Sequence, residues 1–243
     1  MKIDKIIFSL CIVLASLFAE ISAQGVVSGP KKKTKPKTST QQTQKKSTLR
    51  KSVTISEPDG YINGHGYVDL GLPSGVKWAT CNVGALSPSD VGKYFAYGDE
   101  TGNICDYSYE FPEISIINTI HDIAKIQMGS PWRMPSVQEL EELNKKCQWK
   151  IVEINGRRGY KVIGPNKHSI FLPFAGYRDS ILGEIHETNN GTTEPIGYYW
   201  AGDHGEGKWG GLAMYEGKYG SSHFTNGFIK LDREGCSVRA VLY

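Results

Sequence analysis

Two short stretches concentrate the side chains that do chemistry. Glu184, His186 and Glu187 fall in one, and Asp203, His204 and Glu206 in the other. An imidazole beside carboxylates can hold zinc, and oxygen-rich loops can hold calcium. Both stretches sit in polar, glycine-bearing surroundings, where solvated loop residues are the simpler reading, so no metal is expected. Gly205–Gly210, "GEGKWG", matches the dinucleotide pattern G-x-G-x-x-G in letters only. It lies among β-like segments and opens no helix, so no nucleotide cofactor is expected either. There is no G-x-S-x-G elbow for a nucleophilic serine. No C-x-x-C pair offers a zinc knuckle or a redox dithiol.

A more diffuse signal points to binding. Residues 197–220 hold eight glycines interleaved with Tyr198, Tyr199, Trp200, Trp209, Tyr215 and Tyr219. Glycine permits irregular backbone, and aromatic rings with a polar edge suit sugar or protein recognition. Strand alternation puts Tyr198 and Trp200 on one face, so part of this set is expected in the core. The candidate loop stretches are Ser180–Pro195 and the Gly/aromatic region Asp203–Asn226.

The elements that must position these residues are mostly short strands. "GYVDLGLPSGVKWATCNV" reads as two strands around a Leu-Pro-Ser-Gly turn. "WKIVEINGRRGYKVIG" reads as a hairpin on Asn155-Gly156, the favoured type I′ pair, although Arg157 and Arg158 could lengthen the loop. "HSIFLPFAGY", "GYYWAGD", "GLAMYEGKYG" and "CSVRAVLY" are further strands, the last alternating between two faces. One helix start is strong. Ser136-Val137-Gln138-Glu139 is a capping box behind Pro135, with Val137, Leu140, Leu143 or Asn144, and Cys147 near one face. "TIHDIAKIQM" can form a second, short helix. The pattern is α+β. Trp132, Arg133 and Pro135, just before the good helix, are expected to build the fold: Trp132 in the core, Arg133 paired with an acid, Pro135-Ser136 setting the angle. Arg239 receives the same structural reading.

The ends of the chain bear on location. Residues 1–23 read as a secretory signal peptide, with Lys2 and Lys5, the apolar run Ile6–Ala19 and an Ile21-Ser22-Ala23 cleavage site. That run is shorter than the about 20 residues of a spanning helix. No transmembrane span is therefore expected in the mature chain. Residues 24–56 carry nine Lys/Arg and no acid, with almost no apolar side chains. They read as a flexible basic tether spanning on the order of 30 Å, able to contact an anionic envelope surface. Residues 1–56 hold 11 of the 28 basic and 2 of the 25 acidic residues, which leaves 17 and 23 for residues 57–243, a net of −6. A domain of that sign is not a nucleic-acid binder by charge. Its length fits one domain. Cys81, Cys105, Cys147 and Cys236 remain after cleavage, and export permits disulfides, but spacing alone leaves three pairings open.

At the level of motifs, "YVDLGLPSGVKWATCNVGA", "SPWRMPSVQELEELNKKCQW", "GYKVIGPNKHSIFLPFAGYR" and "GYYWAGD…GCSVRAV" resemble successive blocks of the Fibrobacter succinogenes major paralogous domain. The likeness spans roughly residues 61–243. More distantly, "WRMPSVQELEEL" and "SVRAV" are similar to blocks of formylglycine-generating enzymes and C-type-lectin-like proteins. The resemblance implies a C-type-lectin-like fold: a twisted antiparallel sheet, two helices, adjacent termini and long loops on one side. It also implies a Cys81–Cys147 disulfide, with Cys105 and Cys236 free or joined. The late cysteine pair of the formylglycine-generating enzymes is missing, since only Cys236 stands there. Glu194-Pro195-Ile196 and Trp200-Ala201-Gly202-Asp203 depart from the sugar-binding triplets of C-type lectins.

The expectation is an exported, non-enzymatic binding module of the bacterial envelope, surface or medium, without cofactor, taking a glycan or protein ligand. The alternatives are an enzyme with an unrecognised site on the same scaffold and a purely structural envelope protein. His204, Trp209, Tyr215, Tyr219 and His223 are the expected ligand contacts, and Trp78, Trp132 and Trp149 the expected core.

Overall fold

The structure is a computed structural model that describes residues 53–103, 115–188, 191–205, 208–215, 222–226 and 234–243; for residues 204, 205, 208, 209 and 222–226 it describes the backbone alone. The expected signal peptide, nearly all of the tether, Cys105 and Tyr219 lie outside the described residues.

Four antiparallel sheets and two short helices make up the described chain. The first sheet has the order β1-β2-β3-β12, from β1 (Gly60–Ile62), β2 (His65–Asp69), β3 (Lys77–Ala79) and β12 (Val241–Leu242). The opening and closing strands of the domain thus share one sheet. α1 (Ile123–Met128) is capped by Asp122, and α2 (Val137–Lys146) by Ser136. β4 (Gln148–Ile154), β5 (Arg157–Ile163) and β6 (Ser169–Pro173) form a three-stranded meander. β7 (Tyr177–Arg178) pairs with β8 (Ile185–His186). β9 (Ile196–Gly205), β10 (Lys208–Tyr215) and β11 (Ser222–Asn226) form the last sheet, with β10 in the middle.

Local chemistry explains the elements the sequence foretold. Ser136 accepts the Glu139 N–H at 3.2 Å while Glu139 accepts the Ser136 N–H at 2.8 Å, which completes the capping box. Asn155 and Gly156 take φ of 51° and 79°, so the β4–β5 loop is the two-residue type I′ turn. Arg157 and Arg158 pair with Ile154 and Glu153 instead of lengthening it.

Two apolar clusters form the core. One joins Trp78, Leu140, Leu143, Tyr160, Leu172 and Tyr199 across α2 and three sheets. The other joins Phe95, Tyr97, Ile123, Trp132, Trp200 and Val238 around α1. Trp78 and Trp132 are fully buried, as expected. Trp149 is not: it lies half-buried against the first cluster, edge-on to Tyr160, because β4 is an outer strand of its meander.

Three further expectations change. The run "CSVRAVLY", expected as an alternating strand throughout, forms a strand only at Val241–Leu242; Cys236 to Leu242 are all buried and Tyr243 is exposed. Ser56, placed at the end of the expected tether, is bonded to β6. The Ser56 N–H and Oγ meet Ser169, and the Ser169 N–H donates to Ser56 Oγ at 2.8 Å. Finally, Cys81 and Cys147 are both free thiols, so the disulfide implied by the family resemblance is absent. Cys147 caps α2 and packs on the first cluster, whereas Cys81 follows β3 and lines a surface cleft beside Thr80. Cys236 is a free, buried thiol.

Candidate functional site

The β7–β8 hairpin carries the densest set of polar groups that converge. Tyr177 pairs with His186 and Arg178 with Ile185. The Asp179 N–H donates to the Glu184 carbonyl at 2.9 Å and extends this ladder one rung toward the tip. Side chains alternate along strands, so Tyr177, Asp179, Glu184 and His186 share one face and Arg178 and Ile185 the other. On the shared face, His186 Nε2 lies 2.9 Å from Asp179 Oδ2. Ligand atoms of Asp179, Glu184 and His186 all fall within 4.8 Å of one another. The other oxygen of Asp179 is tied down by the N–H groups of Ile181 and Leu182, at 2.9 and 2.6 Å. The Leu182 N–H, with the His186 contact, holds the Asp179 carboxyl down at about 2. Glu187, expected in this group, is drawn away by Arg157 at 2.8 Å. Asp179 takes its place, and the fold of the turn supplies what linear spacing did not.

An aromatic row runs from this hairpin across the neighbouring sheet. A parallel bridge between Gly176 and Gly197 sets β7 beside β9. A Cβ at Gly176 would lie 2.1 Å from the His186 carbonyl oxygen, and its φ is 68°, so this close approach requires glycine. The Tyr177 ring stacks on His186 with centroids 5.0 Å apart. It meets Tyr198 edge-on at 5.7 Å, and Tyr198 meets Tyr215 edge-on at 6.2 Å. The Tyr198 and Tyr215 hydroxyls are 3.1 Å apart, and the Tyr215 carbonyl accepts from the Tyr160 hydroxyl. His186, Tyr177, Tyr198 and Tyr215 are each partly buried and partly exposed. Tyr198 and Tyr215 rest their inner edges on the second core cluster. Burial, then the bond to Tyr215, pushes the Tyr198 hydroxyl well up, so it stays a neutral donor and acceptor.

The expected contact residues separate. Tyr215 belongs to the row just described. The backbone of His223 stands opposite Ala213, whose other neighbour is Tyr198, so His223 falls at the register position next to the row. Trp209 stands opposite His204 at the turn end of the β9–β10 hairpin. Six residues of strand separate His204 from Tyr198, roughly 20 Å at the strand rise. By backbone position, His204 and Trp209 therefore stand apart from Tyr215 and His223; Tyr219 lies outside the described residues. Sequence reading missed Tyr177 and Asp179, which follow the strand "HSIFLPFAGY" and become neighbours of Glu184 and His186 only through the hairpin. The signal available was turn chemistry: Asp179 followed by Gly183 between two β-like dipeptides.

The motif residues are structural. Arg133 forms a bidentate pair with Glu139, at 2.5 and 2.8 Å. Arg239 is fully buried and, among the described residues, donates to neutral acceptors: Asn82 Oδ1 and the carbonyls of Ala79, Thr80 and Phe171, at 2.9–3.0 Å. Burial pulls its guanidinium below the usual arginine range. A cleft of about 550 Å³ opens among Glu57, Tyr61, His65, Cys81 and Asn155.

No protein-family model, no curated protein and no solved structure matches this chain.

Proposed function

We propose that this chain is an exported, non-enzymatic binding module of C-type-lectin-like fold whose ligand is a glycan. The partly exposed row His186–Tyr177–Tyr198–Tyr215 carries the reading. Aromatic rings offer apolar faces to the C–H faces of sugars, while hydroxyls, imidazole and carboxylates at the edges match sugar hydroxyls. Asp179 and Glu184 at one end of the row supply acceptors, and Tyr198 and Tyr215 supply hydroxyls near its other end. The lectin-like fold is supported by β1 and β12 sharing a sheet, by two helices, and by the Arg133 and Arg239 motifs acting as internal braces. Export rests on the charged start and apolar run of residues 1–23. Among the described residues no helix is long and apolar enough to cross a membrane.

A glycan array probed with the full chain tests the reading, followed by calorimetry with Tyr177→Ala and Tyr215→Ala. Saturable binding of one glycan class, weakened by both changes and leaving the glycan chemically intact, is the expected result. Retention of an envelope protein with no glycan bound, or glycan turnover, would overturn it.

A further inference from the structure

We propose that Asp179, Glu184 and His186 form a zinc-class divalent cation site on the β7–β8 hairpin. The inference shares Asp179, Glu184 and His186 with the glycan reading but does not rest on it, because its test reads zinc binding without any glycan. Three donors of the right kinds converge: one imidazole nitrogen and two carboxylate groups, all mutually within 4.8 Å. Zinc ligates nitrogen and oxygen at about 2.0–2.2 Å in tetrahedral geometry, which sets neighbouring donors about 3.3 Å apart. The Asp179–His186 contact of 2.9 Å needs to open by only a few tenths of an ångström to admit the ion.

Most of the organisation is already in place. Asp179 Oδ1 is held by the Ile181 and Leu182 N–H groups, which leaves Oδ2 facing the cluster. The Asp179 N–H bond to the Glu184 carbonyl fixes the two carboxylate residues across the turn. Tyr177 stacks on the His186 ring at an interplanar angle of 21°, which restricts the imidazole's rotation. Neighbouring charges are engaged elsewhere. Arg157 pairs with Glu187, and Arg178, on the opposite face, donates to the Gly102 carbonyl. Two carboxylates and an imidazole favour a borderline cation over calcium or magnesium, which prefer all-oxygen shells. Three protein ligands leave the fourth position to water or to a donor from a bound partner.

The test is titration of the full chain with zinc against a chromophoric chelator, alongside calcium and magnesium. Glu184→Gln removes an exposed ligand charge. His186→Phe keeps the stack on Tyr177. Asp179→Asn keeps an acceptor for the turn. The expected result is one saturable zinc equivalent, at least tenfold weakened by each change, with calcium and magnesium at least tenfold weaker than zinc. Unchanged melting temperatures without metal show that the variants remain folded; a variant that unfolds is replaced by Glu184→Ala, whose side chain is exposed. Absence of a saturable equivalent would overturn the proposal and leave an Asp–His hydrogen bond only. So would variants that bind as the parent does, since the zinc would then sit on thiols or other histidines, and so would calcium binding as tight as zinc.

Discussion

Arg133 and Glu139 neutralise one another at the start of α2 while Glu139 Oε2 also receives the Ser136 N–H at 2.8 Å. The Tyr243 ring lies over the guanidinium at 4.9 Å, and both partners are more than nine-tenths covered. One carboxylate therefore ties together the segment before the helix, the helix cap and the end of the described chain. The "WRMPSVQE" stretch is a brace, and its charges have no exposed face from which to do chemistry.

Glu139→Gln should destabilise the fold by roughly 3–5 kcal/mol, because it leaves a buried guanidinium uncompensated. Burial opposes ionisation of Glu139, but the Arg133 and Ser136 bonds outweigh it and hold its carboxyl below the usual range. The stability from this depressed group is complete above the unfolded value near about 4.3 and is lost as pH falls through the folded value. Urea midpoints between pH 6 and pH 3 should therefore drop more steeply for the parent than for Glu139→Gln. Parallel curves for the two would refute the coupling.

Arg239→Lys should be nearly as damaging as Arg239→Met. A lysine has three donors on one atom and cannot reach Asn82, the Ala79 and Thr80 carbonyls and Phe171 together. Each hydrogen bond from a charged group contributes about 1.5–3 kcal/mol, so losing two exceeds about 3 kcal/mol. Denaturation of the two variants measures it; a lysine variant within about 1 kcal/mol of the parent contradicts the account.

Tyr177→Ala and Trp132→Ala should part company. Tyr177 is partly exposed in the aromatic row, so its truncation should weaken glycan binding by about 2 kcal/mol or more. Trp132 is fully buried and donates its indole N–H to the Ile62 carbonyl, so its truncation should cost roughly 3–5 kcal/mol of stability. Thermal melts and calorimetry on both variants separate the two roles. Equal losses of melting temperature would place Tyr177 in the core.

The thiols should react in order. Cys81 lines an open cleft, Cys147 is half-buried, and Cys236 is fully buried. Burial, with the nearby Glu142 carboxylate, pushes the Cys147 thiol up to about 12, which keeps it protonated at pH 8. A thiol reagent at pH 8 should label Cys81 first, Cys147 slowly and Cys236 only on unfolding. Peptide mapping that found Cys81 joined to Cys147 would reverse the structural finding.

Local rules made the α2 cap and the Asn155-Gly156 turn readable, because each is fixed within four residues. The burial of Trp78 and Trp132 followed from bulk and context. Pairings across the chain were not readable. Nothing in linear spacing brings Phe171 to Arg239, or Gly176 to Gly197, and those contacts decide that Arg239 is buried and that Tyr177 meets Tyr198. The candidate site fell between these cases. Tyr215, His186 and Glu184 were visible as residue types, but the two-residue pairing of β7 with β8 is too short to leave a periodic signal. Asp179 was therefore overlooked and Glu187 favoured in its place.

The antiparallel β1–β2 pair gives the domain a mechanical polarity. Its open end is Gly60 opposite Tyr67, and its closed end is the Asn63-Gly64 turn. Tension arriving through the preceding residues loads the Ser56–Ser169 bonds, then the Asp59–Tyr67 bond, and then each rung of the pair in turn. Rungs that carry load one at a time yield at low force. A pull on the residues that lead into β1 would peel this edge strand away while β3 and β12 stay paired, so that side gives before the aromatic row does.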